Sequence, residues 1–159
     1  MPPLTVAGLG NPFRGDDGIG LALASWLADQ NLSGVVAALW EDADALTLTH
    51  QLLSLEGPVM LVDSADMGLA PGQSRLFDRA GVRLHEPAGS TSTHGLGIAT
   101  ALGLAEALEF TQPVWFFGIQ PASLQGAALS PGLRRSWPEL TQALTCAIHD
   151  IHGTIPGNG

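Results

Sequence analysis

The chain has 159 residues, with fifteen Asp and Glu against six Arg and no Lys, and a formal net charge of −9. Six scattered arginines form no cationic stripe, which argues against a nucleic-acid partner and, equally, against an anionic membrane surface. The length and the 45% apolar content fit one compact domain spanning 1–159, with an ordered core over about 4–152.

Only 13% of the residues are charged, well below the usual share of about 25%. Small neutral residues must therefore cover much of the surface, as would suit a face occupied by a partner. The single cysteine, Cys146, excludes an internal disulfide and any all-cysteine zinc site. It is expected to be a small buried hydrophobe in a late helix. The segment Met1 to Thr5 lacks the basic region of a signal peptide. The uncharged stretch Phe110 to Leu133 is broken by Gln112, Pro113, Gln120, Pro121 and Pro131, so a membrane helix is rejected. A cytoplasmic protein is expected.

In chain order, Leu4 to Leu9 is an apolar run stopped by Gly10-Asn11-Pro12, the pattern of a buried strand entering a turn. Ile19, Leu23, Trp26 and Leu27 recur at helical spacing from Gly18 to about Gln30, with Asp16 and Asp17 where a helix start favours carboxylates. Val35 to Trp40 reads as a second strand, Leu46 to Leu55 as a helix, and Pro58 to Val62 as a third strand ending at Asp63. A fourth strand is predicted at Ser74 to Phe77. The small residues Ala88 to Thr93 form a loop before a helix marked by Ile98, Ala101, Leu102, Ala105 and Leu108, with Ser92 or Thr93 as its cap. Val114 to Phe117 is the fifth strand, where Trp115, Phe116 and Phe117 supply core. A loop from Gly118 to Gly132 leads to a last helix over Leu133 to Ile151.

This alternation predicts an α/β domain: a twisted, mostly parallel sheet of about five strands with helices on both faces. Ligands of such sheets bind outside the carboxyl ends of the strands. Three segments converge on that edge: the loop Gly8 to Gly20, the strand end Val62-Asp63-Ser64, and the helix start Ser92-Thr93-His94-Gly95. Asp17, Asp63 and His94 would offer an oxygen, oxygen, nitrogen set, suited to a borderline divalent ion such as nickel, zinc or manganese. Singly, each has a plainer reading: Asp16 and Asp17 as helix-start charges, Asp63 as an acceptor for loop amides, His94 as a helix-terminal imidazole. Their convergence makes the functional case.

Gly8-x-Gly10 after a strand raises dinucleotide binding, but the third glycine of the fingerprint would fall at Phe13. The absence of lysine excludes a phosphate loop ending in Gly-Lys, and no G-x-S-x-G elbow occurs. The pair His149 and His152 shares a helix face but reads as a solvated helix end. His50 and His85 have no partner pattern.

The stretch Gly8-Leu9-Gly10-Asn11 with Asp16-Asp17-Gly18-Ile19-Gly20, then Val62-Asp63-Ser64 with Gly68 and Pro71-Gly72, then His94-Gly95, resembles the hydrogenase maturation endopeptidases. Gly118-Ile119-Gln120-Pro121 and Leu129-Ser130-Pro131 extend the likeness over about 4–150. The resemblance implies a phosphorylase/hydrolase-like fold and an endopeptidase that trims the C-terminal extension of a [NiFe] hydrogenase large-subunit precursor. It implies Asp17, Asp63 and His94 as the catalytic and metal-contacting residues, Asp16 as a supporting residue, and nickel brought by the precursor, with no organic cofactor. The chain departs from the family at Asp42-Ala43-Asp44-Ala45, where a Gly-Gly-Thr is common. Peptidyl-tRNA hydrolase shares Gly8 to Pro12 but expects a histidine soon afterwards, and the first one here is His50. A non-proteolytic metal-binding assembly protein would use the same three residues.

Overall fold

The computed structural model describes residues 2–85 and 95–154. Five strands, β1 (Leu4–Gly10), β2 (Val35–Glu41), β3 (Val59–Ser64), β4 (Ser74–Asp78) and β5 (Val114–Ile119), form one sheet in the order β2-β1-β3-β5-β4. All neighbours are parallel except β4, which runs antiparallel to β5. Only residues 65–73 link β3 to β4. A parallel crossover needs a dozen or more residues, so β4 returns antiparallel at the sheet edge.

The helices are α1 (Ile19–Ala28), α2 (Ala45–Leu53), α3 (Arg79–His85), α4 (Gly95–Ala107), α5 (Pro131–Arg135) and α6 (Trp137–Thr154). Strand parity assigns them to faces. Leu4, Val6, Met60, Val62, Phe117 and Ile119 pack with Ile19, Leu23 and Leu27 of α1 and Leu140, Leu144 and Ile148 of α6. The intervening residues Ala7, Leu9, Val59, Leu61, Val114 and Phe116 pack with Leu48 and Leu52 of α2 and Ile98, Ala101 and Leu102 of α4. Strands buried on both faces read as continuous apolar runs, as seen here. Each fully buried Leu or Ile contributes about 1.5–3 kcal/mol of transfer free energy.

The expected α/β architecture holds, with five strands in one mixed, mostly parallel sheet and helices on both faces. Trp115 is half-buried while Phe116 and Phe117 are core. Several details differ from expectation. Helix α3 carries no apolar period in its seven residues. It packs on α4 through an Arg79–Glu106 ion pair of 2.8 Å, with the Arg79 guanidinium over the Phe110 ring. The last helix is two: Ser130 caps α5 and Pro131 opens it, a proline-at-N1 start, and Ser136 separates it from α6. Cys146 is exposed on α6, so the expectation of a buried thiol is corrected: the apolar stripe of α6 passes through Leu144, Ala147 and Ile148. The loop Ala88 to Thr93 with its caps Ser92 and Thr93 lies outside the described residues. No helix among the described residues is long and apolar enough to cross a membrane.

Candidate active site

The chain reverses direction of travel at β1. Strand β2 adds on one side of it and β3 on the other, which makes the carboxyl ends of β1 and β3 the switch point at which open α/β sheets bind ligands. The loop after β1 and the end of β3 meet there.

Glycines permit the close approach. A Cβ on Gly20 would collide with the Val62 carbonyl, and one on Gly8 would meet the Ala24 Cβ at 2.8 Å. Helix α1 therefore sits unusually close to β1 and β3. Gly10 has φ +122°, and a Cβ there would overlap the Asp17 carbonyl and come to 3.4 Å from Asp63 Oδ1. The Gly8-x-Gly10 pattern serves this packing.

Residues Gly15–Gly18 form a single 3-10 turn between β1 and α1. In it, neighbouring carboxylates face different partners. Asp17 Oδ2 accepts from the Asn11 backbone N–H at 3.0 Å, and Oδ1 accepts from the Ser64 hydroxyl at 3.1 Å. The Ser64 backbone N–H donates to Asp63 Oδ1 at 2.8 Å. Asp17, Asp63 and Ser64 are all fully buried. Ser64 is thus the common partner of two carboxylates, one carried by the 3-10 turn and the other by the end of β3.

Asp16, also fully buried, points the other way. Its Oδ2 accepts from the N–H groups of Ala122 and Ser123 at 2.8 and 3.0 Å and from the Ser130 hydroxyl at 2.8 Å. Its Oδ1 accepts from the Ser130 N–H at 2.6 Å. Return bonds run from Gly15 N–H to Gly126 O (2.7 Å) and from Asp16 N–H to Ser123 O (2.8 Å). A buried carboxylate with this many donors is fully satisfied. Asp16 fastens the loop after β5 onto the turn that presents Asp17.

The structure places the Asp17 and Asp63 carboxylates on a shared partner, Ser64. His94 lies outside the described residues. Among the described residues no group of three His, Cys, Asp or Glu side chains converges, and His149 and His152 stand at the end of α6, away from the strand edge. Ser64, Ser130 and Gln120 were not singled out as functional by sequence reasoning. Ser130 is signalled by the helix-start dipeptide Ser130-Pro131, and all three lie in stretches that carry the family resemblance. Their hydrogen-bond roles are not legible, because Asp16, Asp17 and the Met67 and Leu69 amides are remote from them in the chain. At the departure segment, Asp42 takes a left-handed φ of +47°, a conformation glycine adopts most readily. Asp44 caps α2 by accepting from the Thr47 N–H at 2.8 Å, and that bond holds its carboxyl below the ordinary range.

The fold is shared with solved structures of known proteins. The maturating endopeptidase HybD from E. coli is 20% identical over 93% of each chain, with a TM-score of 0.73. The [NiFe] hydrogenase maturation protease HybD from Thermococcus kodakarensis is 20% identical over 91% of this chain and 98% of its own, also at 0.73. An E. coli endopeptidase is 17% identical over 93% of each chain, at 0.75. Comparison with curated protein sequences finds no match. The family model described as HycI, hydrogenase maturation protease, matches residues 43–147, about two-thirds of the chain and a span that includes Asp63 and His94. The chain belongs to the hydrogenase maturation protease family.

Proposed function

We propose that this protein is an endopeptidase that removes the C-terminal extension of a [NiFe] hydrogenase large-subunit precursor once nickel has been inserted, with Asp17, Asp63 and His94 as the residues that contact the metal. The observation that carries this reading is the convergence of Asp17 and Asp63, both fully buried and both bonded to Ser64, at the strand-end switch point of a chain in this family. Two carboxylates and an imidazole leave positions open on a divalent ion. Ligands already supplied by the precursor would occupy those positions.

In this reading nickel belongs to the substrate. Asp17 and Asp63 are held in fixed orientations by main-chain and hydroxyl donors. Their contact with the precursor's metal brings one peptide bond to a defined place, an effect of orientation. Hydrolysis adds water across that bond, leaving a carboxylate on the large subunit and an amine on the released peptide. The site requires no organic cofactor. The acidic, lysine-free surface suits a protein partner selected by shape and metal, and not a nucleic acid.

The test is to mix the purified protein with precursor, with and without inserted nickel, and follow the mass of the large subunit. Trimming only of the nickel-loaded form is expected. Trimming irrespective of nickel would overturn metal-dependent recognition, and no trimming in either case would favour a non-proteolytic assembly role. His94→Ala is expected to abolish trimming while leaving thermal unfolding nearly unchanged. Parallel loss of fold and activity would assign His94 a structural role instead.

A further inference from the structure

Strand β3 ends at Asp63-Ser64 and the chain continues directly into residues 65–73, which lead to β4. That connection follows a candidate metal-contacting residue, so whatever holds it also bears on Asp63. Three of the bonds that hold it converge on one side chain. Gln120, immediately beyond β5 and 8% exposed, accepts at Oε1 from the Met67 N–H at 2.6 Å and from the Leu69 N–H at 3.3 Å. Its Nε2 donates to Asp66 Oδ1 at 3.2 Å. Its main chain adds two bonds: Gln120 N–H to Gln73 O at 2.8 Å, and Gly72 N–H to Gln120 O at 2.9 Å. The Ala65 N–H to Ile119 O bond, at 2.9 Å, carries the strand pairing up to the point where the side chain takes over.

The chemistry demands an amide. The loop presents two N–H donors and one carboxylate acceptor to the same buried side chain. Only a group with an acceptor on one atom and a donor on the other satisfies all three. A carboxylate at position 120 would keep the acceptor but set it against the Asp66 carboxylate at hydrogen-bond distance, with no donor between them. An alanine would take this acceptor away from the partly buried Met67 and Leu69 N–H groups.

We infer that Gln120 is a positioning residue: through the Asp66–Leu69 segment it fixes the end of β3, so that the Asp63 carboxylate stays beside Ser64 and Asp17. The inference rests on the function proposed above. Gln120 itself acts on the loop and leaves contact with substrate to Asp17 and Asp63. Losing the clamp therefore weakens turnover, while docking of the folded precursor on the rest of the surface persists.

The test uses Gln120→Glu and the exchanged pair Gln120→Glu with Asp66→Asn, in which the donor and acceptor trade places and the net charge returns to that of the starting protein. Two readouts are followed in the full-length protein. The first is amide hydrogen exchange at Met67 and Leu69, which reports the clamp, and at Ser64, whose N–H donates to Asp63 Oδ1 and so reports that carboxylate's position. The second is kcat and KM for trimming of nickel-loaded precursor. Gln120→Glu is expected to speed exchange at all three amides by about tenfold and lower kcat by about tenfold, the size of one lost charged hydrogen bond, with KM unchanged. The exchanged pair is expected to restore both. Wild-type Ser64 exchange and kcat in Gln120→Glu would overturn the inference, as would failure of the exchanged pair to recover them. If the starting protein trims no precursor, the functional reading fails, and the Ser64 exchange pattern still decides the clamp.

Discussion

The Ser64 hydroxyl donates to Asp17 Oδ1 at 3.1 Å, while the main-chain N–H of the same residue donates to Asp63 Oδ1 at 2.8 Å. One residue thereby bonds to two carboxylates, one on the 3-10 turn after β1 and one at the end of β3. Replacing Ser64 by alanine removes the hydroxyl bond and keeps the main-chain one. Asp17 retains the Asn11 N–H, so the expected loss of stability is modest, about 1 kcal/mol, or roughly 2–4 °C in the thermal midpoint for a chain of this size. The effect on trimming is expected to be larger, about tenfold in rate. A variant with unchanged trimming would show that Asp17 needs no help from Ser64.

Asp16 and Asp17 are adjacent and equally buried, yet they are expected to respond oppositely. Asp16→Ala strips the partners from Ser130, Ala122 and Ser123 and releases the loop after β5. The expected cost is about 3 kcal/mol, seen as a lower midpoint in urea. Asp17→Asn should abolish trimming with a much smaller shift in that midpoint. The reverse ranking in paired urea titrations and trimming assays would exchange their assignments.

Gly20→Ala tests the close packing of α1. The new methyl would press on the Val62 carbonyl, which belongs to rigid β3 and cannot swing aside. Overpacking of this kind costs about 1–3 kcal/mol. It also pushes the 3-10 turn away from the end of β3, so trimming should fall even at temperatures where the variant remains folded. Circular dichroism at the assay temperature separates the two effects.

The Asp44 cap gives a pH dependence with a definite sign. The Thr47 N–H holds the folded-state carboxyl below its ordinary value. Its contribution is complete above the unfolded value, where the group is ionised in both states. It disappears as the pH falls through the depressed folded value. Asp44→Ala should therefore lower the thermal midpoint at neutral pH, and the difference from the starting protein should shrink as the pH is taken below the ordinary carboxylate range. A constant difference across that range would show that the charged cap does not act through ionisation.

Much of the fold was legible in the chain. Runs such as Leu4 to Leu9 and Pro58 to Val62 bury both parities of a strand, and their alternation with the helical spacing of Ile19, Leu23 and Leu27 is local information. Strand ends locate the ligand edge of the sheet, so the positions of Asp17 and Asp63 on it follow from the sequence pattern. Helix α3 was not legible, because buried Val82 and the Arg79 contacts to Glu106 and Phe110 hold it, and a helix of seven residues is too short to announce an apolar period. The exposure of Cys146 depends on where the stripe of α6 meets the sheet.

By itself, then, the sequence determined the layered α/β architecture, the glycine-bearing turn after β1 and the edge on which the acidic residues gather, since each follows from periodicity, turn chemistry and the run of apolar residues. Only the tertiary structure decided how those residues divide their work. Asp16 and Asp17 are chemically identical neighbours. A tight 3-10 turn sends one side chain to Ser130 and the other to Ser64, and both partners come from distant parts of the chain. Gln120 likewise acquires its role because β5 lies beside β3 in the sheet. Hydrogen bonds of this kind are made between groups that folding brings together, and a linear pattern carries no record of them.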